Sequence, residues 1–518
     1  MERIVRVAVA LGAGVLLVLS FPPFDVWPAG IVAVAALALV VRGQGWRLAA
    51  GLGFAFGLAF FTPLLHWTPV QTGPVPWILL SIAQALFMVP TAIVVMLVQR
   101  LRLAPLWIGA AWVGQEALRG RIPWGGLTWG KLGFGQTDGP LLDVAAWGGS
   151  VGITFTVALL GGCAAALVWS QGWRRLLPLG TATTVLAVAM LIPSTPPNGE
   201  QLQVAVVQGN VPRAGLGFNE RAHEVTQNHS EATIALAEDV QAGRAPAPDV
   251  VIWAENSSDR NPLTTEDAGA TDNASRELIE RAATAIEAPI HVGAVVPTAD
   301  ERNVRNTSIV WHPETGPGET YVKRHPMPFG EYIPMRDLAR MVTDAVDLQP
   351  RDFIAGEDVG VLSMGGAEFA TAICFEVAFD NLVRDGVRAG GDVIMVPTNN
   401  ATFGYSPMSE QQLAMSQVRA VEHSRPVVHS ALSGVSAVVA TDGSIRERTE
   451  LYTEDIINIP ITTSTVTTVA TTLGEVPEFV LSGIAVAAAV AGVVVRRRAQ
   501  EPTGAQDANR RQPQQVGA

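Results

Sequence analysis

The sequence predicts two structural parts, a membrane domain made of apolar helices and an α/β domain with a buried sheet. Hydrophobic residues make up 48% of the 518-residue chain and charged residues only 16%, a composition too apolar for an ordinary soluble enzyme. Long stretches with almost no charge occupy residues 1–193, whereas residues 194–477 alternate between short β-type runs and helical patterns. We therefore expect a membrane-inserted chain that carries a folded domain outside the bilayer.

Eight apolar stretches are predicted to span the membrane, because each is long enough to cross a bilayer. Seven lie in residues 1–193, the predicted membrane domain, and the eighth is residues 478–496. The seven stretches are 4–20, 28–41, 48–65, 77–98, 103–118, 147–170 and 176–193. After the eighth span, residues 497–518 form a polar tail with little to bury, and we expect it to be disordered.

Arginine residues sort the connections between the spans into two sides. They mark every second connection and follow the last span: Arg42, Arg47, Arg100, Arg102, Arg174, Arg175, Arg496, Arg497 and Arg498. Positive residues favour the cytoplasmic side, so the tail is predicted to be cytoplasmic and residues 194–477 extracytoplasmic, in a multi-pass protein of the inner or plasma membrane. A cleaved signal peptide is the alternative for the first span, but no small-residue cleavage pattern follows it.

The α/β domain is predicted from six apolar, β-type runs and three helical patterns. The predicted strands are QVAVVQ, DVVIWAE, PIHVGAVV, TSIVWH, FATAICFE and DVIMVPTN, and the helices are residues 219–238, 274–286 and 408–424. Sheets of this class place their chemistry where apolar strands end in polar residues. The ends of these runs are therefore the first place to look for a site.

Cys374 is a candidate nucleophile at the end of such a run, in AICFEVAF. The other cysteine, Cys163, lies in the sixth predicted span, so no disulfide partner is available. A buried structural thiol is the alternative interpretation. Glu376, an acid two residues later in an otherwise apolar run, favours a site instead.

Lys323 and Glu255 complete a possible catalytic set. The chain contains only two lysines, Lys131 and Lys323, among 35 basic residues, which suggests that the compact, tunable ammonium is needed where it remains. A solvated surface lysine is the alternative, and an acid after a strand, as in VIWAENSS, often only forms a turn. Together, however, Glu255, Lys323 and Cys374 could supply a general base, an oxyanion stabiliser and a nucleophile.

The motifs WAE, KRHPMPFGEYIP, ICFE and PTNNATFG resemble the Glu-Lys-Cys signatures of the nitrilase superfamily. With FPPFDVWPAG and EALRGRIPWGGLTWGKLGFGQTDGP in the apolar part, nearly the whole chain is similar to the membrane-embedded branch of that superfamily, the apolipoprotein N-acyltransferases. This resemblance implies a nitrilase-like αββα sandwich, placed outside the cytoplasm, on a helical membrane domain of about eight spans.

The resemblance also implies roles for individual residues. Glu255 would be the base, Lys323 the oxyanion stabiliser and Cys374 the acyl-carrying nucleophile, and Lys323 should also lower the pKa of the thiol. The supporting residues implied are Glu331, Phe375 and Glu376. Phe375 stands where the family often has tyrosine, which leaves an aromatic wall without a hydroxyl.

Two further residues are implied to contact substrate. Phe218, in RAGLGFNE, falls where the family often has a tryptophan on a lid, and Asn399 belongs to the PTNNATFG motif. ALSGVSAVV has Ala431 and Leu432 where polar residues are commoner, so details of substrate contact can differ in this chain.

The implied reaction moves a fatty acyl chain from a membrane phospholipid, through a cysteine thioester, to the N-terminal amine of S-diacylglyceryl-cysteine lipoproteins. The alternatives are a membrane-tethered nitrilase-type amidase that uses water, and a non-catalytic scaffold for a polyprenol-phosphate mannosyltransferase, which would then be a partner. No cofactor is expected, and the eight histidines show no metal-binding spacing. A net charge of −12 argues against nucleic-acid binding.

Overall fold

The computed structural model describes residues 1–498 apart from 69–72, 212–221, 259, 264–269 and 300. From residue 499 onward, the predicted polar tail lies outside the described residues.

Eight apolar helices coincide with the eight predicted spans, and their ends agree within three residues. They are α1 (Glu2–Val18), α2 (Pro28–Val41), α3 (Trp46–Leu64), α4 (Pro74–Val98), α5 (Ala104–Arg119), α6 (Ala145–Trp169), α7 (Leu176–Leu191) and α14 (Val476–Arg498). Apolar composition thus located these helices without any knowledge of their packing.

Within the described residues, five helical segments are long and apolar enough to cross a membrane. They are Trp46–Leu64, Pro74–Val98, Leu142–Trp169, Gly172–Leu191 and Val476–Arg498. The 14 residues of α2 rise only about 21 Å, against roughly 30 Å for a hydrocarbon core. Several spans are therefore supported by helix length, and the count of eight stays a prediction.

Twelve strands form two six-stranded sheets in residues 201–462. Sheet 1 has the order β12-β1-β2-β3-β4-β5, and sheet 2 has the order β11-β10-β9-β8-β7-β6. The strands are β1 (Gln201–Gln208), β2 (Val250–Trp253), β3 (Ile290–Pro297), β4 (Val304–His312), β5 (Gly316–Val322), β6 (Val361–Met364), β7 (Ala367–Thr371), β8 (Val393–Thr398), β9 (Val427–Ala431), β10 (Ala437–Val439), β11 (Ile445–Arg448) and β12 (Asp455–Thr462). Strands β1, β2 and β3 are parallel to one another, as are β7, β8 and β9.

The two sheets pack face to face and carry helices on their outer faces. Along β1, alternate residues Leu202, Val204 and Val206 point into the core between the sheets, while Ala205 and Val207 point to the opposite side. The remaining helices are α8 (Ala222–Gln241), α9 (Ala270–Ile286), α10 (Arg336–Arg340), α11 (Asp380–Arg388), α12 (Met408–His423) and α13 (Val469–Leu473). Because α8 and α9 cover sheet 1 and α11 and α12 cover sheet 2, the layers are αββα.

The helical layer on sheet 2 packs directly against the membrane helices. One continuous apolar cluster joins residues of α1 to α6, and Leu142 just before α6, with residues of α11 and α12, including Val383, Val418 and Val421. Polar contacts cross the same boundary, since the buried Lys131 pairs with Asp380 at 2.7 Å. The α/β domain is therefore fixed to the apolar helices through sheet 2.

Candidate active site

Four side chains named from the sequence follow four strands whose ends converge. Glu255 follows β2 and Lys323 follows β5, both in sheet 1, while Cys374 follows β7 and Asn399 follows β8, both in sheet 2. Polar residues at the ends of parallel strands meet at one edge of a sheet. Here the edges of two sheets face each other, and the four residues meet between them.

The ammonium of Lys323 lies between two carboxylates. It is 2.9 Å from a Glu331 oxygen and 3.3 Å from Oε1 of Glu255, with Lys323 only 2% exposed. Burial alone would lower the pKa of Lys323, but the charges of Glu255 and Glu331 outweigh burial and raise it above its ordinary value. Lys323 is therefore a permanently charged, buried cation rather than a surface lysine.

The orientation of Glu255 is set by bonds to both of its oxygens. Oε1 accepts a hydrogen bond from Asn306 Nδ2 at 2.6 Å, and Oε2 accepts one from the Asn399 backbone N–H at 2.7 Å. The same Asn306 nitrogen donates to Glu331 at 2.9 Å. Asn306 therefore holds the two carboxylates on either side of Lys323.

Cys374 begins a short 3₁₀ turn, Cys374–Ala378, and has a positive φ of 53°. A non-glycine residue with positive φ is uncommon and is frequently found where a side chain is held for function. Its Sγ lies 3.1 Å from the Thr398 hydroxyl and 3.7 Å from Nε2 of Gln412. The sulfur is thus held among polar groups although the residue is only 9% exposed.

The resting state of Cys374 is the neutral thiol. Burial raises its pKa to about 12, the Glu255 carboxylate acts in the same direction, and Lys323 opposes them without compensating. Lys323 does lower the pKa of the thiol, as expected, but burial and the Glu255 charge outweigh its effect. A proton must leave the sulfur during reaction, and a nearby acceptor is needed.

Glu376 ties the loops after β5 and β7 together instead of touching the Cys374 sulfur. Its buried carboxylate accepts hydrogen bonds from the backbone N–H groups of Ile373 at 2.8 Å, Arg324 at 2.8 Å and His325 at 3.0 Å, and from the Tyr321 hydroxyl at 3.0 Å. Burial raises the pKa of Glu376, although the charge of Lys323 and the hydrogen bonds from Ile373, His325 and Tyr321 oppose the shift. The residue positions the two loops that carry Lys323 and Cys374.

Phe375 forms a buried aromatic contact with the loop between α5 and α6. Its ring is stacked on Trp129 at 6.2 Å with an interplanar angle of 11°, and it meets Phe379 edge-on at 5.2 Å. Trp129 in turn donates its indole N–H to Gln411 on α12 at 2.7 Å. The residue after Cys374 is therefore in direct contact with the membrane side of the molecule.

Of the two residues implied to contact substrate, the structure describes only Asn399. Phe218 lies outside the described residues. The Asn399 side chain accepts a hydrogen bond from the Ala401 N–H at 3.1 Å, while its backbone binds Glu255. Contact of either residue with substrate stays a prediction.

Sequence reasoning missed three polar neighbours of the site, Asn306, Thr398 and Gln412. All three are buried. Thr398 is the last residue of β8, and its position at the end of an apolar run is the sequence signal that could have identified it. Asn306 and Gln412 lie inside a strand and a helix, and only the folded arrangement brings them to Glu255 and Cys374. Among the described residues, no group of three or more histidine, cysteine or acidic side chains could hold a metal ion.

Comparison with known proteins identifies the family. Residues 13–163 match the family model of the apolipoprotein N-acyltransferase N-terminal domain, and residues 203–471 match that of carbon-nitrogen hydrolase. The apolipoprotein N-acyltransferase of Mycolicibacterium smegmatis is 39% identical over 516 residues, covering 94% of this chain and 85% of that protein. This chain belongs to the apolipoprotein N-acyltransferase family. The family member from Pseudomonas putida is 30% identical over 481 residues, covering 86% of this chain and 89% of its own.

Two solved structures are similar to about half of the chain. An amidase from Nesterenkonia sp. has a TM-score of 0.36 and 16% identity, covering 52% of this chain and 93% of its own. The glutamine-dependent NAD+ synthetase of Acinetobacter baumannii has a TM-score of 0.37 and 15% identity, covering 52% and 48%. With TM-scores this low, membership in the apolipoprotein N-acyltransferase family and the nitrilase superfamily follows from the sequence matches, which confirm the predicted resemblance.

Proposed function

We propose that this chain is an apolipoprotein N-acyltransferase that moves a fatty acyl chain from a membrane phospholipid to the N-terminal amine of S-diacylglyceryl-cysteine lipoproteins. The observation that carries the proposal is the buried convergence of Glu255, Lys323 and Cys374 between two sheets, one of which packs on apolar helices. Relatives that carry this enzyme name along nearly their whole length support it. We therefore assign the chain as an acyltransferase whose acyl donor and acyl acceptor both carry lipid chains.

In the first half-reaction, Glu255 takes the proton of the Cys374 thiol as the sulfur attacks the ester carbonyl of the phospholipid. The negative charge that develops on the carbonyl oxygen is stabilised by the Lys323 ammonium and by the backbone N–H of Phe375. The C–O bond then breaks, the proton on Glu255 passes to the leaving oxygen, and lysophospholipid departs. A thioester remains on Cys374.

In the second half-reaction, the lipoprotein amine attacks the thioester carbonyl. The C–N bond forms, Glu255 accepts the proton that the amine loses, and the C–S bond breaks. Return of that proton to sulfur restores the Cys374 thiol. Because Glu255 serves both halves, its fixation by Asn306 and Asn399 keeps one base in place for two different substrates.

The supporting residues have positioning roles in this mechanism. Glu331 shares Lys323 with Glu255, and Glu376 holds the two loops that present Lys323 and Cys374. Phe375 supplies the aromatic wall toward the membrane side. We also propose that Phe218 and Asn399 contact the substrate.

The membrane arrangement we propose has eight spans. Residues 1–193 would contribute seven and residues 478–496 the eighth, with the catalytic domain of residues 194–477 outside the cytoplasm and residues 497–518 inside. Alternating arginine-bearing connections support this topology, as does the match between apolar stretches and helices. An inner or plasma membrane location would place Cys374 on the face where lipoproteins display their amines.

The alternative functions are less well supported. An amidase that uses water would not need its catalytic sheet to be packed on apolar helices, and a scaffold would not need a cysteine held between Thr398 and Gln412 beside a buried Glu-Lys pair. Nothing in the comparisons supports a polyprenol-phosphate mannosyltransferase as a partner.

Intact mass spectrometry of lipoproteins from cells with and without the gene tests the proposed function. Loss of one amide-linked acyl chain in the deletion strain, restored by the wild-type gene and not by Cys374→Ala, is the expected result. Unchanged lipoproteins in the deletion strain would favour the scaffold. Restoration by Cys374→Ala would remove the cysteine from the chemistry.

A further inference from the structure

Lys131 is the second of the two lysines in the chain, and the mechanism built on Lys323 does not use it. It lies in the loop between α5 and α6 and is only 3% exposed. Its ammonium donates to Oδ2 of Asp380, the first residue of α11, at 2.7 Å. The hydroxyl of Ser150, on α6, donates to Oδ1 of the same carboxylate at 2.9 Å. The helical part of the molecule therefore binds both oxygens of Asp380.

Two buried charged side chains of α5 hold the backbone on either side of Lys131. Arg119 donates to the carbonyl of Trp129, two residues before the lysine, at 2.6 Å. Glu116 accepts the N–H of Leu132, the residue after the lysine, at 2.8 Å. Both side chains belong to residues that are at most 4% exposed. The ammonium of Lys131 is therefore presented to Asp380 from a fixed segment of backbone.

Arg419, on α12, connects Asp380 to the short turn that carries the candidate nucleophile. Its Nη1 lies 2.6 Å from Oδ1 of Asp380. Its Nε donates to the carbonyl of Val377, inside the turn Cys374–Ala378, at 2.8 Å. Because Arg419 is fully buried, water does not compete for these contacts. A continuous path of polar contacts thus runs from the helical part to the turn.

Glu422 completes a network with two charges of each sign. It binds the guanidinium of Arg419, so Lys131 and Arg419 together are matched by Asp380 and Glu422. Its carboxylate lies against a break in α6, where Gly149 has a φ of 64° and a Cβ atom would come within 2.5 Å of Oε1. Glycine meets both the backbone conformation and the close approach. The sequence of α6 therefore makes room for this network.

The network supplies geometry more than stability. The apolar cluster already holds the helical part against α11 and α12, and apolar contacts are non-directional. Buried ion pairs add little stability over apolar residues of similar volume, whereas charge-assisted hydrogen bonds fix distances and angles. Burial alone would raise the pKa of Asp380, but the charges of Lys131 and Arg419 outweigh burial and hold it well below its ordinary value. The contacts are therefore charged and directional.

Neighbouring residues of the turn have different anchors. Glu376 accepts two backbone N–H groups from the loop that begins at Lys323, whereas the next carbonyl, that of Val377, binds Arg419. One anchor thus places the turn relative to the oxyanion stabiliser, and the other places it relative to the helical part. The N–H of Phe375, which completes the proposed oxyanion hole, belongs to the same turn. Loss of the second anchor would move that N–H relative to an acyl ester held by the helical part.

We propose that Lys131 is a positioning residue for the nucleophile. Through Asp380 and Arg419 it fixes the turn that carries Cys374 against the helical part, so that the sulfur meets a bound acyl ester at the reactive distance. Lys131 acts through these residues and not by contact with the substrate. The inference rests on the proposed acyl transfer, because it concerns the rate of that reaction.

The rate of thioester formation on Cys374 tests this role. Full-length protein in detergent is mixed with phosphatidylethanolamine alone, and the acylated protein is followed by intact mass spectrometry in a single turnover. The main variant is Lys131→Met/Asp380→Asn, which removes one charge of each sign and leaves Arg419 paired with Glu422. We expect its rate at saturating lipid to fall roughly 10- to 100-fold, the effect of a small misplacement of reacting atoms. The lipid concentration that gives half the maximal rate should not change.

Two comparisons separate positioning from stability. Lys131→Met alone leaves Asp380 with one cation fewer and should lower both Tm and rate, whereas the double variant should recover Tm but not rate. Arg425→Met is the matched control, because Arg425 is a buried cation that donates to the carbonyls of Gly391 and Val466. Those contacts lie near the beginning of β8, at the opposite end of sheet 2 from Cys374. Arg425→Met should lower Tm and keep the wild-type rate.

Several outcomes would overturn the proposal. A wild-type rate in Lys131→Met/Asp380→Asn would show that Lys131 only neutralises Asp380. An equal loss of rate in Arg425→Met, at an equal loss of Tm, would attribute the effect to stability. A change confined to the half-saturating lipid concentration would make Lys131 a substrate-binding residue. Wild-type protein that forms no thioester would instead refute the proposed function itself.

Discussion

Replacement of Lys323 by methionine separates the structural from the chemical role of this lysine. The ammonium neutralises Glu255 at 3.3 Å and Glu331 at 2.9 Å in a site where Lys323 is 2% exposed. Methionine keeps the length of the side chain but leaves the buried Glu255 and the partly buried Glu331, which Asn306 joins, with no cation. Breaking a buried pair in this way costs about 3–5 kcal/mol, which corresponds to a fall in Tm of roughly 3–8 °C for a cooperative unit of this size.

The pH dependence of that loss has a definite sign. With no cation present, one of the two carboxylates should take up a proton in the folded state of Lys323→Met. A folded state that binds more protons than the unfolded state loses stability as pH rises, so the deficit should be smaller at pH 5 than at pH 8. Thermal unfolding of wild type and variant across this range, monitored by intrinsic fluorescence, measures the difference.

A second substitution provides the control. Lys323→Met/Glu331→Gln removes one carboxylate together with the ammonium and should recover most of the lost Tm. Acyl transfer should nevertheless stay about 10²–10³-fold below wild type, the usual effect of losing one oxyanion donor. Near-normal transfer by this double variant would refute the reasoning, because Lys323 would then serve only to neutralise Glu331 and Glu255.

Three other results are expected. Incubation with phospholipid alone should trap a hydroxylamine-sensitive thioester on a peptide containing Cys374, which Cys163→Ala retains and Cys374→Ala lacks; an adduct on another residue would contradict the mechanism. Because burial and Glu255 raise the pKa of the Cys374 thiol to about 12, its alkylation by iodoacetamide should be slow at pH 7 and still accelerating above pH 10, whereas a plateau near pH 9 would indicate an ordinary thiol. A reporter inserted after Ser194 should be labelled from outside the cell and one after Arg498 only from inside, and the reverse pattern would invert the proposed topology.

Apolar sequence signals predicted helices and buried strands well, because both depend on the residues within the segment. The six predicted runs correspond to β1, β2, β3, β4, β7 and β8, whose centres are largely buried. Two of the missed strands, β5 (GPGETYV) and β11 (IRER), lie at sheet edges and are mostly polar or rich in glycine. Edge strands of this kind are defined by the partner they pair with, and a single sequence does not name that partner. Two others, β9 and β10, are fully buried but only five and three residues long, which is too short for a clear apolar run.

The residues of the candidate site likewise divide into those that the sequence could identify and those that it could not. Glu255, Lys323 and Cys374 could be selected because each follows a strand or belongs to a motif that resembles a known family. Asn306 could not, because its importance comes from bonding Glu255 and Glu331, residues 51 and 25 positions away in the chain. The high pKa of the Cys374 thiol was also not predictable, since burial is a property of the whole fold.

The continuous apolar cluster between the membrane helices and sheet 2 makes the αββα sandwich unsuitable for use on its own. A shortened protein starting at residue 194 would expose the faces of α11 and α12 that now contact α6 and its neighbours, including Val383, Val418 and Val421. Removing those contacts would also detach Trp129 from Phe375, the residue next to the candidate nucleophile. Soluble fragments of this enzyme would therefore be prone to aggregation, and inhibitor screens require the intact chain in detergent or lipid.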